Sequence, residues 1–92
     1  MMCNKILSII VPAYNVENYI IDCLKSISQI RSDYIEIIVI DDCSVDNTCQ
    51  IIEGYLKYDH RIKYIKNDVN KGLSQTRNVG ILNSLGSFIA FV

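Results

Sequence analysis

Apolar residues gather in four short runs, and the stretches between them repeat with helical period. Ile6, Leu7, Ile9, Ile10 and Val11 form the first run. It is rich in β-branched residues and closed by Pro12, which has no N–H for a ladder, so residues 6–11 read as a buried strand. Over 17–30 the period changes. Ile20, Cys23, Leu24 and Ile27 recur on one helical face, while Asp22, Lys25 and Ser26 point elsewhere. Asn15 is the expected cap, with Glu17 in the positive first turn. Residues 35–40 repeat the strand pattern, and 41–44 follow as a polar loop. A helix over 45–58 carries Ile51, Ile52, Tyr55 and Leu56 on its apolar side, capped by Ser44 or Asp46. A short strand over 61–65 and a polar turn over 67–72 come next. The third helix is expected over 73–85 with Gly86 as its stop, and 87–92 open a fourth strand.

The order βαβαβαβ, with strands that are continuous apolar runs, predicts an α/β fold. Three layers, α/β/α, would enclose a mostly parallel, Rossmann-like sheet. A chain of 92 residues holds one domain. Ligands of such sheets bind outside the carboxyl ends of the strands. Three polar segments leave those ends: 12–15, 41–46 and 67–72, the last leading to Arg77. Their chemistry suits a nucleotide. A carboxylate accepts the ring N–H of a uracil-like base, a tyrosine stacks on its π face, and an arginine approaches a diphosphate. Helix-start N–H groups add donors for the anion.

Composition narrows the options. A formal net charge of −1 gives no bulk attraction to nucleic acid or anionic lipid. No apolar run approaches the roughly 20 residues of a membrane span, and the N-terminus lacks a signal-peptide layout. The expected location is cytoplasmic, with peripheral attachment to the cytoplasmic membrane left open. Four cysteines, at 3, 23, 43 and 49, include no Cys-x-x-Cys pair and have one histidine, His60, for company. They read as reduced thiols rather than as a zinc site.

The blocks 9–15, 38–48, 70–80 and 86–92 resemble, in order and spacing, the family-2 glycosyltransferases of the GT-A fold. They contain Pro12-Ala13-Tyr14-Asn15, Asp41-Asp42-Cys43-Ser44 and Asn70-Lys71-Gly72 followed by Arg77-Asn78. The resemblance implies a nucleotide-sugar-binding domain, incomplete at its C-terminus. Its enzyme would move a hexose from a nucleoside-diphosphate donor, UDP-linked by expectation, to an acceptor hydroxyl in polysaccharide or glycoconjugate synthesis. The acceptor would be a saccharide or a lipid-linked one. Pro12, Ala13 and Tyr14 would line the base and ribose pocket, Asp42 would hold the uracil ring, and Arg77 would approach the diphosphate. Asp41 would shape the turn. A divalent metal, Mg or Mn, would be held by an Asp-x-Asp motif expected after Val92, with the catalytic base further on. The 92 residues would therefore carry no catalytic or metal-binding residue and be inactive alone. Cys43 and Asn47 stand where the family often has glycine.

Plainer readings compete. Asp41-Asp42 is also what a turn before a helix favours. Tyr14 could be half-buried packing, and Arg77 a solvated partner of Asp68 or Glu53. Gly72, Gly80 and Gly86 fit turn, packing and cap positions and make no phosphate-loop spacing. A calcium-loop reading of 42–53 fails because Asn47 replaces the turn glycine and a strand precedes it. A phospho-acceptor signalling domain would need a further strand-end aspartate and a lysine that do not follow. A non-catalytic nucleotide-binding or interaction remnant of a transferase is the remaining alternative. The apolar 88–92 strand is expected to self-associate.

Overall fold

The structure is a computed structural model and describes residues 4–92. The expectations for the first three residues, Cys3 included, lie outside the described residues. Along the chain come β1 (Leu7–Ala13), α1 (Ile20–Ser28), β2 (Ile35–Asp41) and α2 (Thr48–Tyr55), the last running into a 3-10 turn (Leu56–Tyr58). Then follow β3 (Ile62–Lys66), α3 (Leu73–Leu82) and β4 (Phe88–Phe91). The strands form one sheet in the order β3-β2-β1-β4, and every pairing is parallel.

The two-residue alternation of a strand divides the core in two. Ile9, Val11, Ala13, Ile35, Ile37 and Val39 face α1 and α2, where Ile20, Leu24, Ile27, Ile52 and Tyr55 bury against them. Ile10, Ile38 and Ile40 face the other way and pack with Ile65 and Val79 under α3. The direction of winding explains the split. From β1 the chain moves outward to β2 and β3, then returns past β1 to β4. With one hand for all crossovers, that reversal moves the connecting helix to the opposite face. The α/β/α layering expected from the sequence is the layering found.

Pro12 does not end β1. It pairs with Ile40, and the strand runs on to Ala13. Ile6 and Ile10 turn their carbonyls toward β4, so Pro12 faces that side too. The pairing with β2 needs no N–H from Pro12, and the Asp42 N–H donates to the Ala13 carbonyl (2.8 Å), so the ladder to β2 runs on past it. The third helix likewise ends earlier, at Leu82, with Asn83 as its C-cap. Gly86 has another role. Its N–H donates to Ser8 Oγ (2.9 Å), and a Cβ there would lie 2.7 Å from Ser8 N. Close approach to β1, rather than helix termination, requires this glycine.

A buried carboxylate ties these strands together. Glu36, 1% exposed, accepts from the Ser8 hydroxyl (2.6 Å) and from the Leu85 N–H, and pairs with Lys63 Nζ at 2.8 Å. Burial pushes its pKa up, but Lys63, Ser8 and the Leu85 N–H outweigh that and hold it below the usual range.

Candidate nucleotide-binding site

The loops at the carboxyl ends of β1, β2 and β3 are laced together by hydrogen bonds. Asn15 has φ +50 and does not cap a helix, because α1 begins at Ile20 with Tyr19 as its N-cap. Its Oδ1 instead accepts the Val45 N–H (2.9 Å), while its own N–H donates to Ser44 Oγ (2.9 Å). The Val16 N–H donates to Thr48 Oγ1 (2.9 Å), and the Glu17 N–H donates to Asp46 Oδ2 (3.3 Å). Glu17 returns a bond by accepting the Asn47 N–H. Glu17 is thus a loop strut and not a first-turn charge of α1. Asp46 Oδ1 accepts the Thr48 N–H (2.9 Å), but the N-cap of α2 is Asn47, so neither Ser44 nor Asp46 holds the cap position expected of them.

The two aspartates after β2 diverge, as adjacent strand-end residues must. Asp41 is fully buried on the α1–α2 side. Its Oδ1 accepts from the Ser44 N–H and hydroxyl, and the Tyr64 hydroxyl lies 3.3 Å from Oδ2. These bonds hold the turn through Cys43, which takes φ +62. Burial, followed by the Cys49 thiol and the Asp41 charge, pushes the Tyr64 hydroxyl well above its ordinary pKa.

Asp42, 5% exposed, turns toward the third loop. Its Oδ1 accepts from Asn67 Nδ2 (2.9 Å) and the Lys71 N–H (2.8 Å), and Oδ2 accepts the Gly72 N–H (2.9 Å). Burial raises its pKa. The Lys71 N–H, the Asn67 amide, the Gly72 N–H and the Thr76 hydroxyl more than reverse that and keep the carboxyl below the usual range. Gly72 makes this geometry available: at φ +84 its N–H points back at Asp42, and α3 starts at once behind it.

A groove of about 250 Å³ opens beside Asp42, lined by Pro12, Ala13, Tyr14, Asn70, Gly72 and Thr76 among others. Four of the five residues singled out in the sequence therefore meet: Pro12, Ala13, Tyr14 and Asp42. Tyr14 is 47% exposed, with its ring free to be covered. Arg77 is the exception. It does not line the groove. Its guanidinium rests over the Phe91 ring, 5.3 Å from the centroid, beside the end of β4, and its buried Nε has no hydrogen-bond partner. It pairs with neither Asp68 nor Glu53; Glu53 accepts from the Cys49 thiol. Among the described residues, no group of three or more His, Cys, Asp or Glu side chains could hold a metal ion.

A larger groove, about 890 Å³, lies at the opposite end of the sheet, lined by Arg31, Tyr34, Tyr58 and His60 among others. Its buried charges are occupied with structure. Arg61 forks onto Asp59 (2.9 and 2.8 Å) and donates to the carbonyls of Ser28, Ile30 and Ser32. This clamp holds the α1–β2 turn and depresses the Asp59 pKa far below the carboxylate range, against its burial. The smaller groove is the better candidate because the helix starts, the parallel-strand ends and the reversal of strand order coincide there.

Known proteins agree with that fold. The chain is 42% identical over 92 residues to the glycosyltransferase GlyA of Streptococcus pneumoniae, covering all of this chain and 13% of that protein. It is 45% identical over 85 residues to the putative glycosyltransferase EpsH of Bacillus subtilis, covering 92% of this chain and 24% of EpsH. The chain thus spans no more than a quarter of either relative. The crystal structure of Staphylococcus aureus TarS 1-349 in complex with UDP superposes with a TM-score of 0.86 at 36% identity, over 96% of this chain and 27% of that one. Residues 8–92 match the family model "Glycosyl transferase family 2", and the chain belongs to that family.

Proposed function

We propose that these residues form the donor-binding part of a glycosyltransferase that takes its sugar from a UDP-sugar and delivers it to an acceptor hydroxyl. One observation carries the reading: a groove at the carboxyl ends of β1–β3 places the open face of Tyr14 beside an ionised, donor-braced Asp42, in a chain 36% identical to a TarS structure bound to UDP.

Asp42 suits a uracil. An ionised carboxylate has about four acceptor directions, and three N–H donors occupy it from behind. The side of the carboxylate that faces the groove is where the N3–H of the base would bond. Tyr14 covers the ring, and Pro12 and Ala13 bring the β1 backbone against the base and ribose. Arg77 serves the diphosphate. To reach it the guanidinium would leave the Phe91 ring, because Arg77 does not line the groove as it stands. A divalent metal, supplied with ligands from outside these 92 residues, would neutralise the diphosphate. The acceptor site and the base that activates the acceptor would also lie outside, so the isolated chain binds donor without transferring sugar. A charged nucleotide does not cross a bilayer unaided. The chain therefore works on the cytoplasmic side, where its donor is made; none of its described helices is long and apolar enough to cross a membrane.

Calorimetry with UDP tests the reading. Binding in the millimolar range or tighter is expected, lost in Asp42→Ala and retained in Glu53→Ala. Equal behaviour of the two variants would refute the base assignment.

A further inference from the structure

We propose that Asn67, backed by Thr76, is a positioning residue for base recognition: it fixes Asp42 as an acceptor-only group and so sets the preference for uracil over cytosine. The inference rests on the reading of Asp42 given above, and deepens it.

The geometry is specific. Asn67 is the first residue beyond β3, and its N–H donates to Asp41 O (2.8 Å), which carries the β2–β3 ladder one step past the strands. That bond fixes the backbone from which the side chain projects. The amide is buried, 5% exposed, and its Nδ2 lies 2.9 Å from Asp42 Oδ1 and 3.2 Å from Thr76 Oγ1. Thr76 is 1% exposed on the first turns of α3. One amide thus joins the end of β2, the end of β3 and the start of α3. Its orientation is dictated by chemistry, because the flipped amide would set a carbonyl oxygen against a carboxylate oxygen.

Two consequences follow for the groove. The carboxylate cannot rotate without breaking the Asn67, Lys71 and Gly72 bonds together, so its remaining acceptor direction is fixed. A donor on the buried side also favours the ionised form. The ionisable groups around Asp42 are Tyr14 across the groove, Asp41 and Cys43 on its own loop, Asp68 and Lys71 on the β3–α3 loop, and Arg77 on α3. None of them bonds the carboxylate through its side chain. Among side chains that role falls to Asn67 and to the Thr76 hydroxyl that it bonds. An ionised Asp42 accepts the N3–H of uracil and repels the N3 lone pair of cytosine. A protonated Asp42 would donate to cytosine N3 and lose that discrimination.

The test measures UDP and CDP affinities at pH 5 and pH 8 for the unaltered chain, Asn67→Ala, the isosteric Thr76→Val and Asp42→Asn, with thermal unfolding run in parallel. Asn67→Ala is expected to weaken UDP binding about tenfold at pH 5 and much less at pH 8, and to narrow the UDP/CDP ratio at pH 5. Thr76→Val should move the same way by a smaller factor, and it stands in if Asn67→Ala does not fold. A loss equal at both pH values, with the UDP/CDP ratio unchanged, is what mere loosening produces and would overturn the proposal. If Asp42→Asn binds UDP as well as the unaltered chain does, the base assignment itself fails, whatever Asn67 does.

Discussion

Adding one methyl group at Gly86 is expected to separate β4 from β1. An ideal Cβ there would meet Ser8 N and Oγ at 2.7 Å and the Leu7 carbonyl carbon at 2.9 Å. These are mostly backbone atoms of a strand paired on both sides, to β2 and to β4, so they cannot swing aside. Overpacking of this kind costs about 1–3 kcal/mol. Stretching the bond from the Gly86 N–H to Ser8 Oγ adds about 1 kcal/mol. Reduced freedom of the unfolded chain returns roughly 0.5–1 kcal/mol. The net loss for Gly86→Ala is then about 2 kcal/mol, a substantial part of the stability of a domain this size, and Tm falls by roughly 10 °C. Denaturant and thermal unfolding followed by circular dichroism measure both. Gly54→Ala is the internal control. Gly54 is an exposed position of α2 where a Cβ meets nothing within 4 Å, so alanine there should stabilise by about 0.5–1 kcal/mol. A loss below about 0.5 kcal/mol at Gly86, or the same sign at both glycines, would refute the close-approach reasoning.

Arg61→Ala should cost about 3 kcal/mol, because it strands buried Asp59 and three loop carbonyls; UDP affinity at the other end of the sheet should be unchanged, as calorimetry would report. Stability should also fall in acid. Asp42, Asp59 and Glu36 all titrate below their unfolded values, so their contribution is complete above about pH 4 and is lost as pH falls through the folded pKa values. Urea midpoints that stay flat from pH 6 down to pH 3 would contradict this. The two edges of the sheet should differ in behaviour: β3 carries Lys63 and Lys66, whereas β4 carries no charge and leaves Phe88 68% exposed. Association that grows with concentration in sedimentation, relieved by Phe88→Lys, is expected; a monomer at all concentrations would count against it.

The sequence makes the layer order legible because strand and helix periods alternate cleanly and each strand is an unbroken apolar run. Element ends are less visible. Pro12 looks like a terminator, yet its missing N–H faces away from β2, and the ladder to β2 runs on to Ala13. Gly86 resembles a helix stop, yet the helix ends at Leu82 and the glycine serves a strand 78 residues away. The groove was readable as far as Pro12, Ala13, Tyr14 and Asp42, which sit at or just beyond strand ends. Asn15 and Glu17 look like helix-start residues from their spacing, but in space they bond a loop 29 or 30 residues distant. Arg77 lies on α3 as its helical spacing indicates, but its position over Phe91 depends on a pairing of β4 with β1 that no local pattern reveals. Two further signals lie in the sequence. Glu36 is a lone charge inside an apolar strand, which demands partners. Asn67 directly follows a strand, where a buried amide can close a ladder and brace the next loop.

The central claim is that Asp42 accepts the N3–H of a uracil held between the three loops. NMR of the chain with 15N-labelled UDP observes that proton directly. The expected result is a downfield, exchange-protected N3–H resonance with cross-peaks to the Lys71 or Gly72 amide, absent in Asp42→Ala. An N3–H that still exchanges freely with water, with shifts confined to Tyr34, Tyr58 and His60 at the opposite groove, would contradict it.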